Sequence, residues 1–312
     1  MFAIEVNNLV KKFGKFIAVD NLSLSVPENK IFGLLGSNGA GKTTTINMLT
    51  GLLIQDSGQI NILGMESPKN IEKIRQHIAL VPQTISLYES LTIYENLEFF
   101  GALYIKSNQD LKRRIEEMIA IFELDSKRNT KIAHLSGGYQ RRCSIGCALI
   151  SNPKILFLDE PLTGIDIHTN EIILNFIKSI EGITIIFTTH SIKDAESVCD
   201  YVLFMDKGQK ILEGTPNQLI NYYSQQFGEI ITIEFDSRIN KDKIEQYLTK
   251  GGFNIREIKA YGNTISFTSI DLGNTIIEIM SSIKQLKSNV LNIDIKKPTL
   301  EDIFNNIMEQ RE

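Results

Sequence analysis

The sequence predicts an α/β protein built on a parallel β-sheet, because short apolar stretches alternate along the chain with helical patterns. Residues 31–35, 155–158 and 183–188 are such stretches, and each ends in polar or glycine-rich residues. A strand that is apolar on both faces belongs to a sheet covered on both sides, as in parallel sheets with crossover helices. The core is therefore predicted to be a parallel sheet enclosed by helices.

Two further regions accompany this predicted core. Residues 2–6, 17–26 and 58–63 are rich in β-forming residues broken by polar turns, which indicates a small antiparallel subdomain. Between them and the later strands, residues 110–124 repeat apolar side chains at helical spacing, and similar patterns precede and follow. We therefore predict a helical subdomain over about 85–150.

The pattern of the chain changes after a predicted helix and linker at 215–228. From there the strands and helices follow the order β-α-β-β-α-β, which is typical of ferredoxin-like α+β domains. The predicted strands are 229–235, 254–260, 263–269 and 290–296, and the predicted helices between them are 241–251 and 274–286. A last helix should follow Pro298, with Thr299 as N-cap and Asp302 three residues on. We place the domain boundary near 225, which gives one domain at 1–225 and an accessory domain at 226–312.

Composition excludes several classes of protein. The 312 residues include 33 lysines and arginines against 37 aspartates and glutamates, so no nucleic acid partner is expected. Three cysteines are too few for a disulfide framework, which favours a reducing compartment. The longest apolar run, 99–105, is far shorter than the roughly 20 residues that cross a bilayer. We therefore expect an intracellular chain without a membrane span of its own.

A glycine-rich loop follows the first apolar strand. Residues 36–43 read G-S-N-G-A-G-K-T, which fits the phosphate-loop pattern, and a helix is predicted from about Lys42. Backbone N–H groups in such a loop converge on an anion, and the helix N-terminus adds positive partial charge. Lys42 should reach the β- and γ-phosphates, and the Thr43 hydroxyl should bind Mg²⁺. The predicted cradle comprises Gly36, Ser37, Asn38, Gly39, Ala40, Gly41, Lys42, Thr43 and Thr44.

Two carboxylates end the apolar strand 155–158. Asp159 and Glu160 are adjacent, and neighbouring side chains on a strand point in different directions, so the two acids can take different roles. Asp159 suits a Mg²⁺ ligand, and Glu160 suits a base that polarises the attacking water. The alternative is a pair of acids that only opens the turn at Pro161, which a nearby phosphate loop disfavours.

A second glycine motif, L-S-G-G-Y-Q at 135–140, opens another helix. Ser136 is a good N-cap, and Gly137 and Gly138 expose backbone N–H groups at the positive helix end. One nucleotide does not need two anion sites from one chain. A symmetric dimer, in which this motif closes over the partner's nucleotide, explains both sites.

The combined order of motifs is specific. GSNGAGKTT, Gln83, LSGGYQ, ILFLDEP and the pair Thr189-His190 together resemble the ATP-binding subunit of ABC transporters over about residues 2–222. The resemblance implies a P-loop ABC cassette with a mixed sheet core, which hydrolyses ATP with Mg²⁺. It also implies roles by position: Phe13 stacks on adenine, Gln83 senses Mg²⁺ and water at the hinge to the helical subdomain, and His190 contacts the γ-phosphate. The plainer alternatives are a core phenylalanine, a loop glutamine and a structural histidine.

The resemblance extends to the dimer. Ser136, Gly137 and Gly138 would contact the partner's γ-phosphate, and Asp166 lies in the loop that links the two sites across a dimer. Tyr139 departs from the glutamine usual at its position, so no phosphate contact is expected of it. The implied assembly is a head-to-tail homodimer, or a pseudo-dimer with a second ATP-binding subunit.

Two stretches point to one branch of the family. Residues 87–104 and 298–304 resemble the exporter branch that includes daunorubicin-resistance-type subunits. This implies a separate membrane permease, bound by a groove near 84–94, a peripheral position on the cytoplasmic face of the membrane, and export of a drug, lipid, glycan or similar cargo. The alternatives are a soluble ABC ATPase without a permease and a nucleotide-gated regulatory module.

Overall fold

The computed structural model describes residues 1–237, 255–277 and 289–309, and the chain divides into two compact units, Met1–Thr215 and Pro216–Glu312. The strands of the first unit are β1 (Phe2–Phe13), β2 (Phe16–Pro27), β3 (Ile31–Leu35), β4 (Ser57–Ile62), β5 (Met65–Ser67), β6 (Ile78–Val81), β7 (Ile155–Asp159), β8 (Thr184–Thr189), β9 (Tyr201–Asp206) and β10 (Gln209–Gly214). Its helices are α1 (Lys42–Leu49), α2 (Ile71–Arg75), α3 (Ile93–Ala102), α4 (Asn108–Ile121), α5 (Gly137–Leu149), α6 (Ile167–Ser179) and α7 (Ile192–Val198).

The central sheet has six strands in the order β10-β9-β3-β8-β7-β6. Neighbouring strands from β9 to β6 run parallel, and only β10 pairs antiparallel with its neighbour. Every residue of β7 and β8 is buried, which confirms the parallel core predicted from their apolar sequences. The carboxyl ends of β3, β6, β7 and β8 therefore meet at one edge of the sheet, where α/β proteins place their ligands.

The antiparallel subdomain is confirmed as a second sheet, in the order β2-β1-β4-β5. Strands β1 and β2 are both longer than predicted. They continue to Phe13 and Phe16, which pair across a tight hairpin, and Gly14 takes the positive φ of 59° that the turn requires. Register shifts along β1 mark β-bulges or irregularities in this pairing.

The helical subdomain consists of α3, α4 and α5. Thr92 and Glu95 form a capping box at the start of α3, and Ser107 caps α4. The predicted apolar stripe of α4 is buried, and α3 packs against both α4 and α5. Gly101 allows the close approach, since a Cβ there would lie 2.4 Å from a methyl group of Leu111.

The second unit contains α8 (Pro216–Phe227), β11 (Glu229–Phe235), β12 (Ile255–Tyr261), β13 (Thr264–Ser269), β14 (Val290–Lys296) and α9 (Leu300–Glu309). Its sheet is antiparallel in the order β12-β13-β11-β14. The predicted helix 241–251 and most of the predicted helix 274–286 lie outside the described residues, although 272–277 are helical. The ferredoxin-like interpretation thus stays a prediction.

The ends of this unit add two details. Thr299 and Asp302 exchange hydrogen bonds at the start of α9, which confirms the predicted capping box. Helix α8 packs against α9 and falls within the second unit, so the division between the compact units comes ten residues before 225.

Candidate active site

The loop after β3 is held tightly against neighbouring backbone. A Cβ on Gly36 would lie 2.3 Å from the Met205 carbonyl oxygen, and one on Gly41 would lie 2.4 Å from that of Ala18. Gly41 also has a φ of 104°, so only glycine fits there. Helix α1 begins at the next residue without a side-chain cap, and its first-turn N–H groups are available to an anion. Ser37, Asn38, Gly39 and Thr43 are exposed around this helix start, with Thr44 half-buried and Ala40 buried.

Lys42 lies buried at the base of the loop. Its ammonium group donates to the carbonyl oxygens of Gly36 at 2.7 Å and Ser37 at 3.2 Å. It also lies 3.2 Å from Oε1 of Glu160. The structure therefore brings the predicted phosphate-binding lysine and the predicted base into one cluster.

The two carboxylates at the end of β7 are joined by a threonine on β8. Thr188 is fully buried, and its hydroxyl donates to Asp159 Oδ1 at 2.7 Å while accepting from the Glu160 N–H at 2.8 Å. Glu160 has a φ of 47°, an uncommon conformation for a non-glycine residue, and this hydrogen bond helps to hold it. Sequence reasoning missed Thr188, although a polar residue within the stretch 183–188 was a usable signal.

The Glu160 side chain is held from several directions. Oε2 lies 2.8 Å from Nδ1 of His190 and accepts from the Thr163 hydroxyl at 2.9 Å. Oε1 faces Lys42 but accepts no hydrogen bond. Burial raises the pKa of Glu160, but the hydrogen bond from His190, the charge of Lys42 and the bond from Thr163 together bring this pKa below its usual range. An ionised carboxylate only accepts, so Nδ1 of His190 carries the shared proton.

The other predicted site residues lie apart from this cluster. Gln83 is exposed in the loop after β6, and its carbonyl oxygen accepts from Arg141 of α5. Phe13 is half exposed at the end of β1, with the Lys11 ammonium 5.7 Å from its ring centre. In the part of the chain that the structure describes, no hydrogen bond joins either side chain to Lys42 or Glu160.

The second glycine motif begins α5 as predicted, with one difference. Ser136 occupies the N-cap position, but its exposed hydroxyl makes no capping hydrogen bond. Gly137 is exposed too, and a Cβ on it would meet nothing within 4 Å. Tyr139 instead stacks over Arg142, with the guanidinium carbon 4.4 Å from the ring centre, and faces the Ser126 hydroxyl at 3.5 Å. The start of the motif is thus open to an outside ligand, whereas Tyr139 is engaged within the subunit.

Asp166 caps α6 next to the same motif. It accepts from the Thr169 N–H at 2.9 Å and from the Thr169 hydroxyl at 2.8 Å, and these bonds lower the pKa of Asp166. Gly138 leaves room for the Thr169 hydroxyl, since a Cβ on Gly138 would lie 2.7 Å from it. The start of α6, which Asp166 caps, therefore packs closely against the start of α5 in the same chain.

Fold and site together define a phosphate-loop nucleoside triphosphatase, with a lysine-bearing loop, a buried acid pair and a histidine at one sheet edge. The family model described as ABC transporter matches residues 19–163. The linearmycin resistance ATP-binding protein of Bacillus subtilis (strain 168) is 33% identical over 97% of both chains. The Nod factor export ATP-binding protein I of Sinorhizobium fredii is 35% identical over 97% of this chain and 84% of that protein.

Solved structures agree. An ATP-binding subunit of an ABC transporter superposes with a TM-score of 0.65 and 28% identity, over 71% of this chain and 93% of that one. A dimeric cassette in a post-hydrolysis state, bound to ADP and Pi, gives 0.63 and 28%, over 68% and 98%. The chain belongs to the ATP-binding proteins of ABC transporters. It is an exporter-type ATP-binding subunit and an ATPase.

These findings confirm the family, the cassette fold and the ATPase activity expected from the sequence. ABC cassettes dimerise and work with membrane permeases. No helix among the described residues is both long and apolar enough to span a membrane.

Proposed function

We propose that two copies of this subunit sandwich two molecules of MgATP between them, at the cytoplasmic face of the membrane, and that this closure drives a separate permease. The observation that carries the proposal is the separation of two half-sites in one chain. Lys42 and Glu160 form a buried cluster, whereas Ser136 and Gly137 present an exposed helix start with no capping hydrogen bond. A symmetric pair joins each half-site to the other half of its partner.

The residues at the sheet edge fit a magnesium ion. Mg²⁺ prefers oxygen ligands and retains several waters, so a few protein groups are enough to hold it. The Thr43 hydroxyl is exposed at the start of α1, and Thr188 orients the buried carboxylate of Asp159. Thr43, Asp159 and Gln83 would hold the ion, which would offset negative charge on the phosphates when bound.

The chemistry follows from the Lys42–Glu160 contact. When triphosphate enters the cradle, the Lys42 ammonium exchanges the carbonyl oxygens of Gly36 and Ser37 for phosphate oxygens, its stronger partners. Glu160 then loses the cation that lowers its pKa and becomes a better base for the attacking water. His190 keeps the carboxylate oriented through Nδ1, and its Nε2 can donate to the γ-phosphate when the ring carries both protons. General-base assistance contributes roughly 10²–10⁴ in rate.

We place the permease on an aromatic surface formed by α3 and the loop before it. Tyr88 and Phe99 are 48% and 41% exposed, and their rings meet edge to face at 4.7 Å. Beside them lies a cavity of about 330 Å³. Its lining includes Leu80, Pro82, Phe100 and Tyr104 on one side and residues of α5 as well. An exposed apolar patch next to a groove is typical of a protein interface. The cargo is proposed to be a drug, lipid, glycan or similar molecule, by analogy with relatives named for linearmycin resistance and Nod factor export.

Mixed dimers test the sandwich. Lys42→Ala and Ser136→Glu should each abolish hydrolysis in homodimers, because one removes the phosphate contact and the other places a like charge against the partner's phosphate. When the two inactive variants are mixed equally, half of the dimers are mixed, and each has one site with both halves intact. About a quarter of wild-type activity should therefore return. Absence of any recovery, with mixed dimers shown to form, would contradict the proposal.

A surface variant tests the permease. Phe99→Glu should detach the subunit from permease-containing membranes while its basal ATPase activity persists. The matched control is Ile121→Glu at the end of α4, because Ile121 is 42% exposed, much like Phe99. If Phe99→Glu and wild type bind such membranes equally, the assigned surface is wrong. If wild type binds none and hydrolyses ATP at full rate alone, the soluble ATPase alternative is favoured.

A further inference from the structure

Arg141 joins the start of the helical subdomain's α5 to the hinge loop after β6. Its side chain is only 3% exposed. Nη1 donates to the Pro82 carbonyl oxygen at 2.7 Å, and Nη2 donates to the Gln83 carbonyl oxygen at 2.6 Å. A guanidinium offers these two donors in a fixed planar fork, so the two consecutive carbonyl groups are held in position and orientation together.

Burying the charged guanidinium of Arg141 costs folding free energy. Burial lowers the pKa of its guanidinium, the negative charge of Asp159 partly offsets this, and Nε has no hydrogen-bond partner among the residues that the structure describes. A buried cation with an unpaired N–H is a weak source of stability, and apolar residues of similar volume often serve as well. What Arg141 supplies that an apolar side chain cannot is the double attachment to the hinge.

The next residue provides a contrast within the same helix. Arg142 is also buried and also has an unpaired Nε. Its Nη1 donates to the Phe122 carbonyl oxygen at 2.9 Å, and its guanidinium lies over Tyr139, so these contacts stay within the helical subdomain. The two arginines share burial and chemistry but differ in what they attach to α5.

We propose that Arg141 is a positioning residue that fixes the Gln83 backbone to α5, so that the Gln83 side chain follows the movement of this helix. The proposal rests on the proposed function, in which the start of α5 meets the partner's nucleotide and Gln83 serves the subunit's own Mg²⁺ and water. Arg141 lies five residues after Ser136 on α5. Closure over one nucleotide is thereby transmitted to the other site through a single rigid helix and two hydrogen bonds.

The test is a double-mutant cycle between Arg141 and Gln83, measured on the full-length protein. Arg141→Gln should lower kcat roughly tenfold to a hundredfold, because two charge-assisted hydrogen bonds are lost. The affinity for ATP without Mg²⁺ should stay within about twofold, and the Mg²⁺ concentration for half-maximal activity should rise severalfold. Combined with Gln83→Ala, Arg141→Gln should add no further loss, since both act on the same group. Arg141→Lys should restore part of kcat.

The control is Arg142→Gln. It should lower the melting temperature at least as much as Arg141→Gln, yet leave the Mg²⁺ dependence unchanged and kcat within about threefold of wild type. The proposal is overturned if the two arginine variants lower kcat equally, or if the losses from Arg141→Gln and Gln83→Ala add fully. Should Arg141→Gln not fold, Arg141→Lys enters the same cycle and decides in the same way. A failure of the proposed function is distinct, because wild type would then lack ATP hydrolysis or Glu160→Gln would form no dimer with ATP.

Discussion

Replacing Glu160 by glutamine tests the assigned base with the smallest change of shape. The carboxylate accepts from His190 and Thr163 through Oε2 and faces Lys42 through Oε1. A glutamine whose carbonyl oxygen takes the place of Oε2 can still accept both hydrogen bonds, but its amide group cannot take a proton from water. The loss of general-base assistance, roughly 10²–10⁴ in rate, corresponds to about 3 to 5 kcal/mol of barrier.

The assay separates binding from chemistry. Single-turnover hydrolysis should slow by the factor above, while the affinity for ATP stays within about tenfold of wild type. In the proposed cycle the dimer closes on ATP and hydrolysis reopens it, so the variant should elute as a dimer when ATP is present and as a monomer when it is absent. Single-turnover hydrolysis at the wild-type rate would refute the assignment of Glu160 as the base.

The same variant carries a pH signature. The pKa of Glu160 is lowered from its ordinary value of 4.5, so the ionised carboxylate contributes stability that is present above that value and lost as the pH falls through the folded-state pKa. Without nucleotide, Glu160→Gln should be less stable than wild type at neutral pH by about 1–3 kcal/mol. This loss is smaller than that from removing one partner of a buried ion pair, because Lys42 keeps its two carbonyl partners. The difference in melting temperature should shrink as the pH falls below 4.5. A constant difference would show that the carboxylate charge contributes nothing to folding.

Three further changes probe the site. Lys42→Ala should weaken ATP binding at least tenfold through the lost phosphate contact, measured by equilibrium titration, and undiminished affinity would argue against the loop assignment. Thr188→Val removes the hydroxyl that joins Asp159 to the Glu160 N–H, so kcat should fall about tenfold with little change in ATP affinity; an unchanged kcat would show that the bridge is dispensable. Gly138→Ala should lower the free energy of unfolding without ATP by about 1–3 kcal/mol, because its Cβ would lie 2.7 Å from Thr169. The matched control is Gly137→Ala, whose Cβ would meet nothing within 4 Å, so its stability should change little. Equal losses of stability in the two variants would contradict the packing argument.

Several features of the fold were predictable because local sequence dictates them. The strands β3, β7 and β8 are apolar on both faces, and α4 repeats apolar residues at helical spacing. The glycines at 36 and 41 are required wherever a backbone must approach this closely. The order of the motifs indicated the family, and the comparisons confirmed it.

Other predictions needed correction or addition. Helix α8 belongs to the second compact unit, because it packs against α9, and no local pattern in 215–228 contains that information. Ser136 occupies the N-cap position of α5, yet its hydroxyl accepts no hydrogen bond from the first turn of the helix. A residue type at the right position permits a capping bond, but the rotamer that makes it is chosen by the surroundings.

Local sequence specifies which elements form and which residue types line the sheet edge, since strand and helix periods and glycine geometry are properties of neighbouring residues. How those residues act on one another depends on tertiary packing. The Arg141–Gln83 bond joins positions 58 apart in the chain, and the bond between Glu160 and Thr188 joins positions 28 apart. Such contacts depend on how the sheet and the helical subdomain pack, and hydrogen bonds depend on angstrom-scale placement that periodicity alone does not specify.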